Sequence, residues 1–196
     1  MNRIQAITIG IIAVLLVLPC GCGYNSLQGL DEEVKAAWSE VQNQYQRRFD
    51  LIPNLVSTVK GYAAHEQETL TAVVEARSKI SQMKISPEIT QDPGQFAQFQ
   101  QAQGALSSAL SRLMVVVERY PDLKANQNFS QLQEELASTE NRIGFARQHY
   151  NNVVENYNTK VQSFPAVLVA GMFGFQQEEF FELAEPAERE PVKVKF

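Results

Sequence analysis

Cysteine occurs at positions 20 and 22 and nowhere later in this 196-residue chain. Everything after Cys22 therefore lacks an internal disulfide and a thiolate metal site. Histidine is almost as scarce: His65 and His149 lie far apart, and His65-Glu66 lacks the second histidine four residues after the first that a zinc-protease helix needs. Positive charge is not in excess either, with 17 Lys+Arg against 22 Asp+Glu and a net charge of −5, which argues against a nucleic-acid partner. Nucleophile elbows, phosphate loops and CxxC pairs are missing. The expectation is a protein that is not an enzyme, with no catalytic, cofactor-binding or metal site and no small-molecule substrate.

Charge is also missing from residues 4–30, behind a lone Arg3 and ahead of Asp31-Glu32-Glu33. The first part of that run, IQAITIGIIAVLLVL, is an apolar stretch followed at once by PCGCG. A short basic start, an apolar middle and small residues beyond it are what the secretory machinery reads. Arg3 and the α-amino group favour the cytoplasmic side, so the bulk of the chain is expected to be extracytoplasmic and anchored to a membrane by its N-terminus. Two anchors fit. Residues 4–18 as a helix cover about 22 Å, and extension through residue 23 reaches the roughly 30 Å of a hydrocarbon core. Alternatively Gly21-Cys22-Gly23 resembles a lipobox, which makes Cys22 the candidate lipid attachment site, although Pro19 departs from the leucine usual there. A soluble secreted product is the third alternative.

Glycine and proline, 10 and 8 residues, cluster between long stretches that lack them, the punctuation of an all-α protein. In the last long stretch every seventh residue is large and apolar: Phe129, Leu136, Ile143, Tyr150, Tyr157, Phe164. The companion positions Leu132, Thr139, Ala146, Val153 and Lys160 turn polar only at the end, so one long helix with a single seam is predicted. The preceding stretch repeats the pattern with Phe96, Phe99, Gln103, Leu106, Leu110, Leu113, Val117 and Tyr120, started by Pro93 and ended by Pro121. A first helix is read from Leu30, Val34, Trp38, Val41, Tyr45, Phe49, Ile52, Val56, Val59 and Ala63, a spacing of about 3.67 residues per turn. Asn25 with Gln28 reads as its capping box and Gly61 as its stop. A shorter second helix spans about residues 66–84, joined to the third by a loop over 85–93.

The predicted architecture is an antiparallel up-down-up-down four-helix bundle with long first and fourth helices, behind an N-terminal membrane segment. Its parts are residues 1–23, a signal-anchor or lipoprotein signal segment; 24–164, the bundle; 165–183, an apolar membrane-proximal segment; and 184–196, a glutamate- and proline-rich tail expected to be disordered. The first and fourth helices, at ~54 Å each against ~28 Å for the second, should continue toward the membrane as a two-stranded stalk.

The segment RRFDLIPNLVSTVKGYAAHE (residues 47–66), with GYNSLQ (23–28) and Ala37-Trp38, resembles the LemA family of bacterial membrane-anchored helical proteins. YPDLKANQNF (120–129), LQEELASTENRIGFARQHYNNVVENYN (132–158) and FPAVLVAGMFGF (164–175) carry the resemblance through nearly the whole chain. It implies an antiparallel helical bundle behind a membrane segment, and no enzyme activity.

Read from its residues, RRFDLIPNLV puts Pro53 inside the first helix, where it frees the Phe49 carbonyl and a kink is expected. Asp50 lies on the same face as Arg47, within reach of a local ion pair. Either the segment simply bends the helix, with Asn54 satisfying the freed carbonyl, or Arg47, Arg48, Asp50 and Asn54 form a partner-docking patch. Residues 164–175 are uncharged and too few to span a bilayer. Either they plug the lower end of the bundle, or Phe164, Leu168, Met172, Phe173 and Phe175, with Phe180 and Phe181, lie in the membrane interface or against a neighbouring subunit. The expected function is a membrane-tethered scaffold or adaptor of the cell envelope, whose partners are the membrane and envelope proteins or copies of itself. The alternative is a ligand-binding sensor or enzyme with a site in the bundle core.

Overall fold

A computed structural model describes residues 3–83, 85 and 87–182, with residues 3–22 and 87 described as backbone only. The described residues are all-helical: α1 (Arg3–Tyr62), α2 (Gln67–Gln82), α3 (Pro93–Val117), α4 (Pro121–Lys124), α5 (Gln127–Gln162) and α6 (Ala166–Phe173), with a 3-10 turn at Pro87–Gln91. All of the candidate anchor but Gly23, Cys22 included, and the tail at 184–196 fall outside the residues whose side chains are described. Among the described residues no helix is long and apolar enough to cross a membrane.

Asn25 and Gln28 do not begin a helix. They lie inside α1, where Gln28 donates to Glu32 at 3.1 Å, because the apolar run before them continues the same helix. The other boundaries have stronger local causes. Asp92 accepts the Gln95 amide at 3.0 Å and Pro93 sits in the first turn of α3, where its missing amide costs nothing. Pro121 does not end α3, which stops at Val117; it starts the short α4. Asn126 caps α5 through the Phe129 amide at 3.0 Å and donates to the Tyr62 hydroxyl at 2.9 Å, tying the top of α5 to the end of α1.

The α1 seam keeps Val34, Trp38, Val41, Tyr45, Ile52 and Val59 of the apolar residues read from the sequence and differs at the places between them. Its seam positions are Leu27, Asp31, Val34, Trp38, Val41, Tyr45, Arg48, Ile52, Leu55 and Val59, with Ala37 buried beside Trp38. Steps of four and three alternate without exception, a 3.5-residue repeat suited to left-handed supercoiling. Asp31 and Arg48 occupy two of those places, so half-buried Leu30, Phe49 and Val56 imitated a straighter pattern. The α5 repeat is buried at Phe129, Leu136, Ile143, Tyr150 and Tyr157, and stops there: Phe164 lies beyond the helix and is exposed.

α1 and α5 run antiparallel, as the pairing of Tyr62 with Asn126 and of Arg47 with Glu135 requires. α2 and α3 pair likewise, with Glu66 at the start of α2 accepting from Tyr120 at 2.9 Å and Arg119 at 3.1 Å. Apolar side chains gather in two clusters. An upper one joins Ile52, Val59, Val73, Leu113 and Phe129; a lower, aromatic one joins Trp38, Phe96, Phe99, Tyr150 and Phe181. The lower end is not a two-stranded stalk. α6 packs on both α1 and α5, and residues 176–182 lie across the lower aromatic cluster.

Candidate functional site

Arg48 sits where the two clusters meet and is 2% exposed. Its seam position points the guanidinium between α3 and α5, since a helical residue three or four steps from Tyr45 and Ile52 shares their face. Nη1 donates to both Glu140 oxygens, at 2.6 and 2.9 Å, and to Ser107 Oγ at 2.8 Å; Nη2 donates to Gln103 Oε1. Ser107 Oγ in turn donates to Glu140 at 3.0 Å. Three helices are thus fixed in register by one charged side chain, and of its partners only Gln103 was visible in the sequence as a polar interruption of a seam. A charge this buried survives only when paired and hydrogen-bonded, and its best-attested use is to specify register.

The four residues of the candidate docking patch do not share a face. Arg48 points inward. Arg47 is exposed and pairs with Glu135 at 2.7 Å rather than with Asp50, which accepts from Gln46 at 2.8 Å. Asn54 is exposed. Nor does Asn54 satisfy the carbonyl that Pro53 frees: Arg77 of α2 donates its Nε to Phe49 O at 3.3 Å and stacks 3.8 Å above the Phe49 ring. The proline therefore creates an acceptor by which α2 docks onto α1.

A cleft of about 540 Å³ beside Tyr45 is lined by Gln42, Gln46, Phe49, Ile80, Met83 and Gln103. Its polar groups are the amides of Gln42, Asn43, Gln46 and Gln103 with the hydroxyls of Ser81 and Tyr45, and no histidine, carboxylate or lysine is among the residues that line it. His65 and His149 are both exposed, and among the described residues no three metal-ligating side chains converge.

The buried phenols Tyr150 and Tyr157 are pushed well above the ordinary tyrosine range, first by loss of water and then by nearby carboxylates, Glu178 for both and Asp31 for Tyr157. A group whose folded value is raised contributes stability that is complete below its unfolded value and is lost as pH rises above it. Stability should therefore fall from about pH 10 upward, by about 1.4 kcal/mol per pH unit for each tyrosine that ionises only on unfolding. Denaturant titrations between pH 9 and 11 check this, and Tyr157→Phe should reduce the slope by one tyrosine's share.

α6 has two faces. Ala166, Val169 and Ala170 are buried against α1 and α5, so closely that a Cβ on Gly23 would meet Val169 at 3.4 Å. Phe164, just before the helix, and Leu168, Met172 and Phe173 within it are exposed at 81, 60, 73 and 57%. Phe175 turns inward and is half-buried, edge-on to Tyr24 at 5.8 Å. One face of the segment thus closes the lower end, as the plug reading expects, and the other carries the exposed side chains, with Phe173 also lying 4.8 Å from the Tyr24 ring.

The sequence reading missed Asn151 and Asn158, which hold residues 176–182. Asn158 accepts the Glu178 amide at 2.9 Å and donates to its carbonyl at 2.8 Å. Asn151 does the same for Phe181, at 2.9 Å both ways. The available signal was two asparagines seven residues apart in a long helix that has little local use for them.

Comparison with known proteins agrees with this architecture's family resemblance. The LemA family model matches residues 37–196. Magnetosome protein MamQ 2 of Paramagnetospirillum magneticum is 29% identical over 185 residues, covering 86% of this chain and 68% of its own length. MamQ of Magnetospirillum gryphiswaldense is 27% identical over the same shares of the two chains. Protein LemA of Metamycoplasma hominis is 27% identical over 161 residues, covering 82% of this chain and 69% of its own.

Proposed function

This chain belongs to the LemA family, and we propose that it is a non-enzymatic helical scaffold or adaptor of the bacterial cell envelope, tethered to a membrane at its N-terminus with its bulk extracytoplasmic. In this reading α1, α2, α3 and α5 form an antiparallel up-down-up-down bundle that presents a surface to envelope proteins or to other copies of itself. The observation that carries it is the position of α6. The helix packs at Gly23, just beyond the apolar run of the sequence, and leaves Leu168 and Met172 facing outward there, with Phe173 exposed on one side and set 4.8 Å from the Tyr24 ring on the other. An apolar face beside a tether belongs in the headgroup–acyl boundary, where burying one phenylalanine is worth roughly 1.5–3 kcal/mol. Relatives named as magnetosome proteins and as LemA support a membrane-associated setting.

Reconstitution tests it. In vesicles whose acyl chains carry bromine, tryptophan at position 173 (Phe173→Trp) should be quenched while the core Trp38 is not. Emission from position 173 that matches water exposure and ignores the bromine would refute the membrane contact. Met172→Ser, at a site 73% exposed, should leave stability in detergent within about ±0.5 kcal/mol, the usual result for an exposed site. Protease added outside sealed inner membranes should digest the helical domain; full protection would overturn the orientation.

A further inference from the structure

Residues 176–182 are held as a peptide ligand is held. Between Glu178 and Phe181 the chain advances three residues while its partners, Asn158 and Asn151, are seven apart on α5. Seven helical residues rise about 10.5 Å and three extended residues about 10 Å, so the segment is an extended strap running antiparallel to α5. Each asparagine offers one acceptor and one donor to a single residue's main chain, as a neighbouring strand would. Further main-chain bonds come from all sides: the Glu179 amide to Thr90 O at 2.7 Å, Tyr150 to Glu179 O at 3.1 Å, the Glu182 amide to Gln100 at 2.9 Å, and Arg147 to Glu182 O at 2.9 Å. One side chain is read deeply. The Phe181 ring, 3% exposed, lies 4.9 Å from Phe96, 5.4 Å from Tyr150 and 6.0 Å from Trp38, with Arg147 capping it at 4.7 Å.

The strap is not built like the rest of the core. Its main chain is bound by side chains and not by its own helix, and it leaves α6 through Gly174, whose φ of 78° is left-handed and suits only glycine well. The Glu178 carboxyl group is buried with one oxygen on Gln91 at 2.8 Å, and among the described residues Oε2 finds no hydrogen-bond partner, so the seated strap carries an incompletely satisfied polar group. We infer that the groove between α3 and α5, read out by Asn151, Asn158 and the Phe181 pocket, is an extended-peptide site, and that it accepts the same strap from a second copy of this chain by exchange. The segment whose fit is shown is this chain's own, and a copy presents the same main chain, the same Glu178 and the same Phe181. Short tethering gives the resident strap an effective concentration in the millimolar range, so exchange appears where copies are crowded or a resident strap is disabled. It needs no membrane, so its test stands apart from that of the tether.

Two full-length variants separate strap from groove. Glu178→Pro with Phe181→Pro removes both asparagine-bound amides and the ring, leaving an empty groove. Asn151→Ala with Asn158→Ala leaves a strap without its groove. Each alone in detergent should sediment at its own mass; mixed, they should form an equimolar complex. A synthetic peptide of residues 175–183 should also shift the Trp38 emission of the empty-groove chain, Trp38 being the only tryptophan. The peptide with alanine for Phe181 should bind at least about tenfold more weakly. If the proline chain loses its helical circular dichroism, Phe181→Ala takes its place in both measurements. Folded chains that stay separate when mixed overturn exchange between copies even if the peptide binds, and a silent Trp38 with no complex overturns the groove as well.

Discussion

Glu140→Ala should destabilise the chain by about 3–5 kcal/mol, read as a lowered denaturation midpoint at unchanged slope. The effect comes less from the lost pair than from what it strands. Arg48 is 2% exposed, and without Glu140 its charge keeps the neutral Gln103 and Ser107 and the face of the Tyr45 ring at 5.1 Å, with no counter-ion. Arg48→Ala should cost about as much, because it opens a cavity and leaves the Gln103 carbonyl oxygen facing it. The pair itself is a different matter: Arg48→Ala with Glu140→Ala together should cost clearly less than the sum of the two single changes, since with both charges gone neither is left buried without its partner. The coupling across that double-mutant cycle is the decisive quantity. Additive losses from the two single changes would mean that Arg48 is not held by Glu140, and the register-setting role would go with it.

Phe129→Ala should cost about 3–5 kcal/mol, whereas Phe145→Ala in the same helix should stay within about ±0.5 kcal/mol. Phe129 is fully buried in the upper cluster with Val59, Leu113 and Leu123, and its amide is the one Asn126 caps. Phe145 is 72% exposed. Equal effects at the two sites would place the α5 seam elsewhere.

That contrast shows where sequence was a good guide. The seven-residue repeat of α5 selected Phe129 and passed over Phe145, and burial follows it for four repeats because each seventh place from Phe129 to Tyr157 holds a large apolar or aromatic side chain. α3 read equally well, Gln103 included. α1 was misread at three places for a physical reason: its seam holds Asp31, Arg48 and Leu55, and the half-buried apolar neighbours at 30, 49 and 56 filled the pattern instead. Arg48 looked like a surface residue because nothing local in RRFDLIPN names its partners, which lie 55 to 92 residues away. The same limit hid the strap. Its bonds run from asparagine side chains to main-chain groups, and a backbone amide has no letter in a sequence. The Pro53 reading was right about the freed carbonyl and silent about Arg77, again because the donor sits on another helix.

One property of α1 bears on mechanics rather than stability. From Arg3 to Tyr62 it is a single helix of 60 residues, a rod of about 90 Å with no flexible joint between its beginning and the Arg48 crossing. Torque applied at one end is therefore delivered to the other instead of being absorbed by a loop. One residue inserted between Gly23 and Leu27 would turn everything above it by about 100° relative to everything below. The azimuth at which the helical surface faces its surroundings is thus set, like the hand of a clock on its spindle, by how the start of this rod is gripped.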